Sequence, residues 1–107
     1  MIIKVIGLED CSRCENFKKS LGEKRITFQY STCDKNPEVC DGLESLVNSH
    51  LYPICLLSDE HDNTLEVLFL AENMSQLDTG PRSVADILCV PFYSTNNLVE
   101  YVIKKLY

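Results

Sequence analysis

An α/β fold is predicted from three observations. Segments with the twofold period of strands alternate with segments of helical period. Turn-forming clusters separate them at short intervals. The hydrophobic share is 45% and the charged share 24%, ordinary values for a globular protein. At 107 residues the chain has the length of one domain, and a single domain over residues 1–107 is expected.

The elements follow in order along the chain. Residues 2–6 are a short apolar run broken by Lys4, the pattern of a buried strand. Residues 7–10 are a polar loop. Helical spacing begins at Ser12, with Cys14, Phe17, Lys18 and Leu21 three and four apart, and Gly22 supplies a stop. Ile26, Phe28 and Tyr30 alternate with polar neighbours, as in a half-buried strand over residues 26–31. Asn36 is suited to cap a helix that has Pro37 at its first position. Val39, Leu43, Leu46 and Val47 share one face, so that helix is expected to reach about residue 49.

Residues 50–53 form a break, and residues 54–57 read as a strand. Residues 59–63 are dense in turn formers and lead into an antiparallel partner at 65–70. Residues 71–82 are polar, with Gly80-Pro81 as a loop marker. Residues 83–90 are ambiguous, with a short helix expected first and then a strand at 87–90 that Pro91 ends. Thr95 or Asn96 is expected to cap a last helix holding Leu98, Val99, Val102, Ile103 and Leu106. The first strand–helix–strand unit should be parallel by right-handed crossover.

The net charge is −6. An acidic surface argues against nucleic acid or an anionic membrane as partner and favours a basic protein surface. The N-terminal stretch lacks the basic region, long apolar core and small-residue cleavage site of a signal peptide. No apolar run approaches the roughly 20 residues that span a bilayer. A cytoplasmic monomer is therefore expected. In that setting most of the six cysteines should be thiols. Cys55 and Cys89 lie in apolar runs and read as small buried hydrophobes. Cys33 and Cys40 flank the start of the second helix. They are expected as two reduced thiols, with a second, regulatory disulfide as the alternative.

Cys11 and Cys14 carry the chemistry. The pair follows an apolar strand and opens a helix. Free N–H groups at a helix N-terminus favour an anion, and the thiolate is the nucleophile of thiol–disulfide exchange. Cys14 lies one turn on, where it can attack a mixed disulfide and release the substrate. Arg13 adds a nearby positive charge; Glu9 and Asp10 oppose it. Zinc on Cys11, Cys14, Cys33 and Cys40 is disfavoured, because structural zinc sites usually show two short knuckles. His50 and His61 read as exposed turn residues. No metal or tightly bound cofactor is needed for dithiol exchange.

Several of these residues resemble the glutaredoxin branch of the thioredoxin-fold family. The strand at 2–6 leads into Cys11-Ser12-Arg13-Cys14 about ten residues from the start, and Tyr52-Pro53 precedes the strand at 54–57. The resemblance covers residues 1 to about 70. It implies a thioredoxin-like, glutaredoxin-type central four-stranded mixed sheet flanked by helices, with an insertion before the last helix. It further implies that Pro53 is cis and that the Tyr52 backbone binds a substrate peptide or disulfide. Arg13, Thr95 and Asn96 are further candidate substrate contacts.

The implied activity is a disulfide oxidoreductase and electron carrier acting on a protein disulfide, with ribonucleotide reductase as a client by resemblance. Glutathione or a flavoprotein reductase is the implied electron donor. Three departures weaken glutathione. Ser12-Arg13 replaces the usual Pro-Tyr, no Lys precedes Cys11, and Tyr93-Ser94-Thr95-Asn96-Asn97 stands where the family carries Gly-Gly and Asp. Two alternatives stay open: a non-catalytic interaction module, and metal or iron–sulfur binding through Cys11.

Overall fold

The computed structural model describes all residues 1–107. In chain order the elements are β1 (Ile2–Gly7), α1 (Ser12–Glu23), β2 (Gln29–Thr32), α2 (Pro37–Val47), β3 (Ile54–Ser58), β4 (Thr64–Leu70), α3 (Met74–Thr79), β5 (Arg82–Val84), β6 (Ile87–Phe92) and α4 (Thr95–Leu106). They build one six-stranded sheet in the order β2-β1-β3-β4-β6-β5. β1 runs parallel to β2, β3 is antiparallel to both β1 and β4, and β6 is parallel to β4.

β3 is buried along its whole length, so its sequence is a continuous apolar run closed by Ser58. Its side chains divide by the period of two. Cys55 and Leu57 join Ile3, Val5, Leu68 and Leu70 on one face, covered by Phe17 and Leu21 of α1 and Leu98, Val99 and Val102 of α4. Ile54 and Leu56 join Ile6, Val67 and Phe69 on the other, covered by Cys40 and Val47 of α2. The β3–β4 turn is as expected: Asp59 Oδ1 accepts from the N–H groups of His61 and Asn63 at 2.9 Å each.

The expected four strands are present as β2-β1-β3-β4, but the segment before α4 corrects the picture. The strand expected at 87–90 is present as β6, but α3 forms within the polar stretch 71–82 and β5 is a further strand, which makes the sheet six-stranded. α3 is held by a reciprocal cap: Asn73 Oδ1 accepts from the Gln76 N–H at 3.0 Å, and Gln76 Oε1 accepts from the Glu72 N–H at 2.7 Å. Gln76 Nε2 also donates to the carbonyl of Asn48 at 2.7 Å, and Arg82 donates to that of Leu46 at 2.8 Å. Both satisfy carbonyls left open at the end of α2.

The short helix expected at residue 83 is instead the hairpin β5–β6. Its two-residue turn places Ala85 and Asp86 at φ 50 and 66, the left-handed backbone that such turns require. Pro91 does not end the strand but sits inside β6, opposite Phe69 of β4. β5 covers β6 only over Ile87 to Cys89, so the far side of β6 is an edge at Pro91, where a missing N–H is tolerated.

Smaller shifts occur elsewhere. α1 runs through Gly22 to Glu23, β2 begins at Gln29, and α2 ends at Val47, with Asn48 left-handed at φ 55. Asn36 caps α2 without a side-chain hydrogen bond. The cap of α4 is Ser94, whose Oγ accepts from the Asn97 N–H at 3.3 Å, not Thr95 or Asn96. The buried Glu66 of β4 is matched by α4: Tyr101 Oη donates to one oxygen, and Lys105 Nζ lies 3.1 Å from the other.

Candidate functional site

Four elements converge at one end of the sheet. Gly7 ends β1, Thr32 pairs with it at the end of β2, and Ile54 starts β3 opposite Ile6. α1 starts there with Cys11 as its N-cap in extended backbone, φ −108. The Cys14 N–H donates to Cys11 Sγ at 3.2 Å, so the sulfur occupies the place of a capping oxygen.

The pair is disulfide-bonded, with Cα atoms 5.2 Å apart. Cys11 is half-buried, whereas Cys14 is 0% exposed. One sulfur can therefore meet a partner and the other cannot. Arg13, Glu9 and Asp10 are all exposed around Cys11, with Asp10 turning the chain at φ 53.

Tyr52 and Pro53 pack against the same end, and the bond between them is cis, as the resemblance implied. Tyr52 shares an apolar cluster with Cys14, Ile6 and Cys40, against which Cys11 and Cys33 also pack. Its ring is fully buried, and its Oη donates to Glu44 Oε2 at 2.5 Å. The other Glu44 oxygen bonds His50 Nδ1. The Tyr52 bond, then the His50 bond, hold the Glu44 carboxyl below its usual range. Glu44 in turn raises His50. The main-chain N–H and C=O of Tyr52 have no partner within the protein.

Glu44 had no signal in the sequence, because its role depends on how α2 lies beside Tyr52. His50 and His61 are exposed, as expected.

Gly7 makes a close approach: a Cβ there would lie 2.3 Å from Tyr30 Oη. The Tyr30 ring in turn carries Lys18 Nζ 3.8 Å from its centroid.

The expectation of two reduced thiols at Cys33 and Cys40 is corrected, for the structure bonds them. Their Cα atoms are 5.6 Å apart, inside the range a disulfide spans. The reason is local. The Cys33 N–H donates to the Gly7 carbonyl at 3.0 Å, and the Cys40 N–H reaches back to Asn36 at 3.3 Å. The start of α2 is thereby folded onto the end of β2.

Cys55 and Cys89 are fully buried and unpaired. Burial pushes the Cys55 thiol up to about 12 and raises Cys89, against a smaller lowering by Arg82. Thr95 and Asn96 form the first turn of α4, directly after β6. β6 stands three strands from β1 in the sheet order, a lateral offset of about 14 Å at ordinary strand spacing. No three His, Cys, Asp or Glu side chains are grouped to hold a metal ion. No helix is long and apolar enough to cross a membrane.

Neither a family model nor a curated protein matches the chain. A solved structure does: the glutaredoxin-like protein NrdH-redoxin from Escherichia coli, described for its thioredoxin-like activity profile. It aligns at a TM-score of 0.51 and 22% identity over 55% of this chain and 76% of the other. The fold is glutaredoxin-like, of the thioredoxin class. At that identity the likeness speaks for the architecture, and within this thioredoxin-like fold Cys11 and Cys14 stand at the β1–α1 junction.

Proposed function

We propose that the protein is a thiol–disulfide oxidoreductase that reduces disulfides in a protein client through Cys11 and Cys14. The supporting observation is the asymmetry of the pair: Cys11 is half-buried at a helix N-cap, and Cys14 is sealed behind it. Cys11 thiolate attacks one client sulfur, breaking the client S–S bond and leaving a client thiolate that takes up a proton. Cys14 thiolate then attacks Cys11 Sγ in the mixed disulfide, releasing the second client thiol. Two electrons pass to the client, and Cys11–Cys14 ends as a disulfide.

The Cys14 N–H and the helix start favour negative charge on Cys11 Sγ. The free N–H and C=O of Tyr52 offer strand-like hydrogen bonds to an extended client segment. Arg13 adds an exposed positive charge beside the attack site. An external dithiol donor or a flavoprotein reductase returns the electrons. Glutathione is the weaker donor, since the acids at Glu9 and Asp10 face any anionic reductant.

The test is insulin reduction driven by dithiothreitol, run beside a glutathione-coupled disulfide assay. Turnover that Cys11→Ser abolishes is expected in the first. No turnover in either overturns the reading, and turnover with glutathione alone overturns the donor assignment.

A further inference from the structure

Cys33–Cys40 is not used by the mechanism above, yet it repeats the architecture of the first pair. Each has an outer, half-buried sulfur, Cys11 or Cys33. Each has an inner one, Cys14 at 0% and Cys40 at 3% exposure. All four pack on the one cluster around Ile6 and Tyr52. The two outer cysteines follow neighbouring parallel strands: Gly7 of β1 pairs with Thr32 of β2, Cys33 comes directly after Thr32, and Cys11 comes four residues after Gly7 at the start of α1. Paired strands lie about 4.8 Å apart.

We propose that Cys33–Cys40 is a second redox site that exchanges electrons with Cys11–Cys14 through the two outer sulfurs. This rests on the oxidoreductase reading of the first pair. After Cys11–Cys14 has been oxidised by a client, Cys33 thiolate attacks Cys11 Sγ. The Cys11–Cys14 bond breaks and Cys14 leaves as a thiolate that takes up a proton. Cys40 thiolate then attacks Cys33 Sγ, the Cys11–Cys33 bond breaks, and Cys11 leaves as a thiolate. The Cys33, Cys40 dithiol has become a disulfide, and the first pair is again a dithiol, with two electrons moved between them. The fully reduced chain thus holds four electrons and serves two client disulfides before it needs a donor.

The exchange requires Cys33 to swing towards Cys11. The segment that carries it is a single turn held by the Cys33–Gly7 hydrogen bond and by Lys35 and Asn36 N–H groups on the Thr32 carbonyl, both at 3.2 Å. A turn of so few bonds opens at low cost relative to the sheet.

Two experiments test it. In the first, the protein is reduced, freed of reductant without air, and mixed with excess insulin, and the client thiols are counted after alkylation. Two insulin disulfides per chain are expected for the wild type, one for Cys33→Ser and none for Cys11→Ser. One disulfide for the wild type overturns the second site but leaves the first intact. One for Cys11→Ser means the second pair reaches clients alone, and overturns the exchange.

In the second, Cys14→Ser/Cys40→Ser leaves the outer sulfurs only, and diamide oxidation is followed by peptide mass mapping. An intramolecular Cys11–Cys33 bridge is expected. Intermolecular dimers alone overturn the proposal. If no variant reduces insulin, the oxidoreductase reading fails, and this bridge decides the exchange without it.

Discussion

Tyr52→Phe isolates the contact that anchors the backbone beside the two cysteines. The ring is buried at 2% exposure and keeps its shape, so packing is nearly conserved. What is lost is the bond from Oη to Glu44 Oε2 at 2.5 Å. A hydrogen bond to a charged group contributes about 1.5–3 kcal/mol. The Glu44 side chain is 24% exposed and can rehydrate, which lowers the expected loss to about 1–2 kcal/mol.

The sign of the pH dependence follows from the same bond. The Tyr52 hydroxyl is the first cause of the lowered Glu44 pKa. Its contribution is therefore complete above the ordinary glutamate value and fades as pH falls through the lowered one. Urea unfolding of wild type and variant, compared at neutral pH and through a series of falling pH values in acid, reads both quantities. A gap that is absent at neutral pH, or undiminished in acid, would refute the anchoring role. Loss of the anchor also loosens Tyr52 N–H and C=O, so insulin reduction should slow through a higher KM.

Three other outcomes are expected. Glu44→Gln should bring the NMR titration midpoint of His50 back towards the ordinary 6.5, because the wild-type pairing is fully present below that value and is lost as pH rises through the raised one; an unmoved midpoint excludes the pair. Gly7→Ala should cost about 1–3 kcal/mol by overpacking, since its Cβ would meet Tyr30 Oη at 2.3 Å, and urea unfolding checks it. Brief alkylation of the reduced native protein should label Cys11 and Cys33 first, while Cys55 and Cys89 react only after unfolding; native labelling of Cys55 would contradict its burial.

The strands at β1, β3 and β4 were legible because each is central and apolar, and α1, α2 and α4 because one face of each is. β2 lies at the edge of the sheet, where burial leaves a weaker mark, and its start moved from Ile26 to Gln29. The β5–β6 turn was hidden because Ala85-Asp86 lacks the Gly or Asn that usually announces left-handed backbone. The Asn73–Gln76 cap of α3 was written in the sequence as a residue pair three apart, but six residues give helical periodicity too little length to register. At the site, Cys11 and Cys14 are close in sequence and were readable. The Cys33–Cys40 disulfide was legible only as the alternative to two thiols, because the six residues between them do not decide where the chain folds back.

The insertion has a consequence for substrate recognition. In the resemblance, the start of the last helix binds the ends of a small anionic thiol close to the cysteines. Here β6 intervenes between β4 and the start of α4, and β5 extends the sheet beyond it. Thr95 and Asn96 thus follow a strand three positions from β1 in the sheet, and α4 leans back from there over the sheet, its Leu98 and Val99 sharing a cluster with Phe17 and Leu21 of α1. An extended protein segment of about four residues spans three strand spacings. On the proposed function, an extended client segment would run from Cys11 past the Tyr52 main chain towards the start of α4. Shortening residues 71–92 should then favour small disulfides over insulin, and an unchanged preference would remove the insertion from any part in specificity.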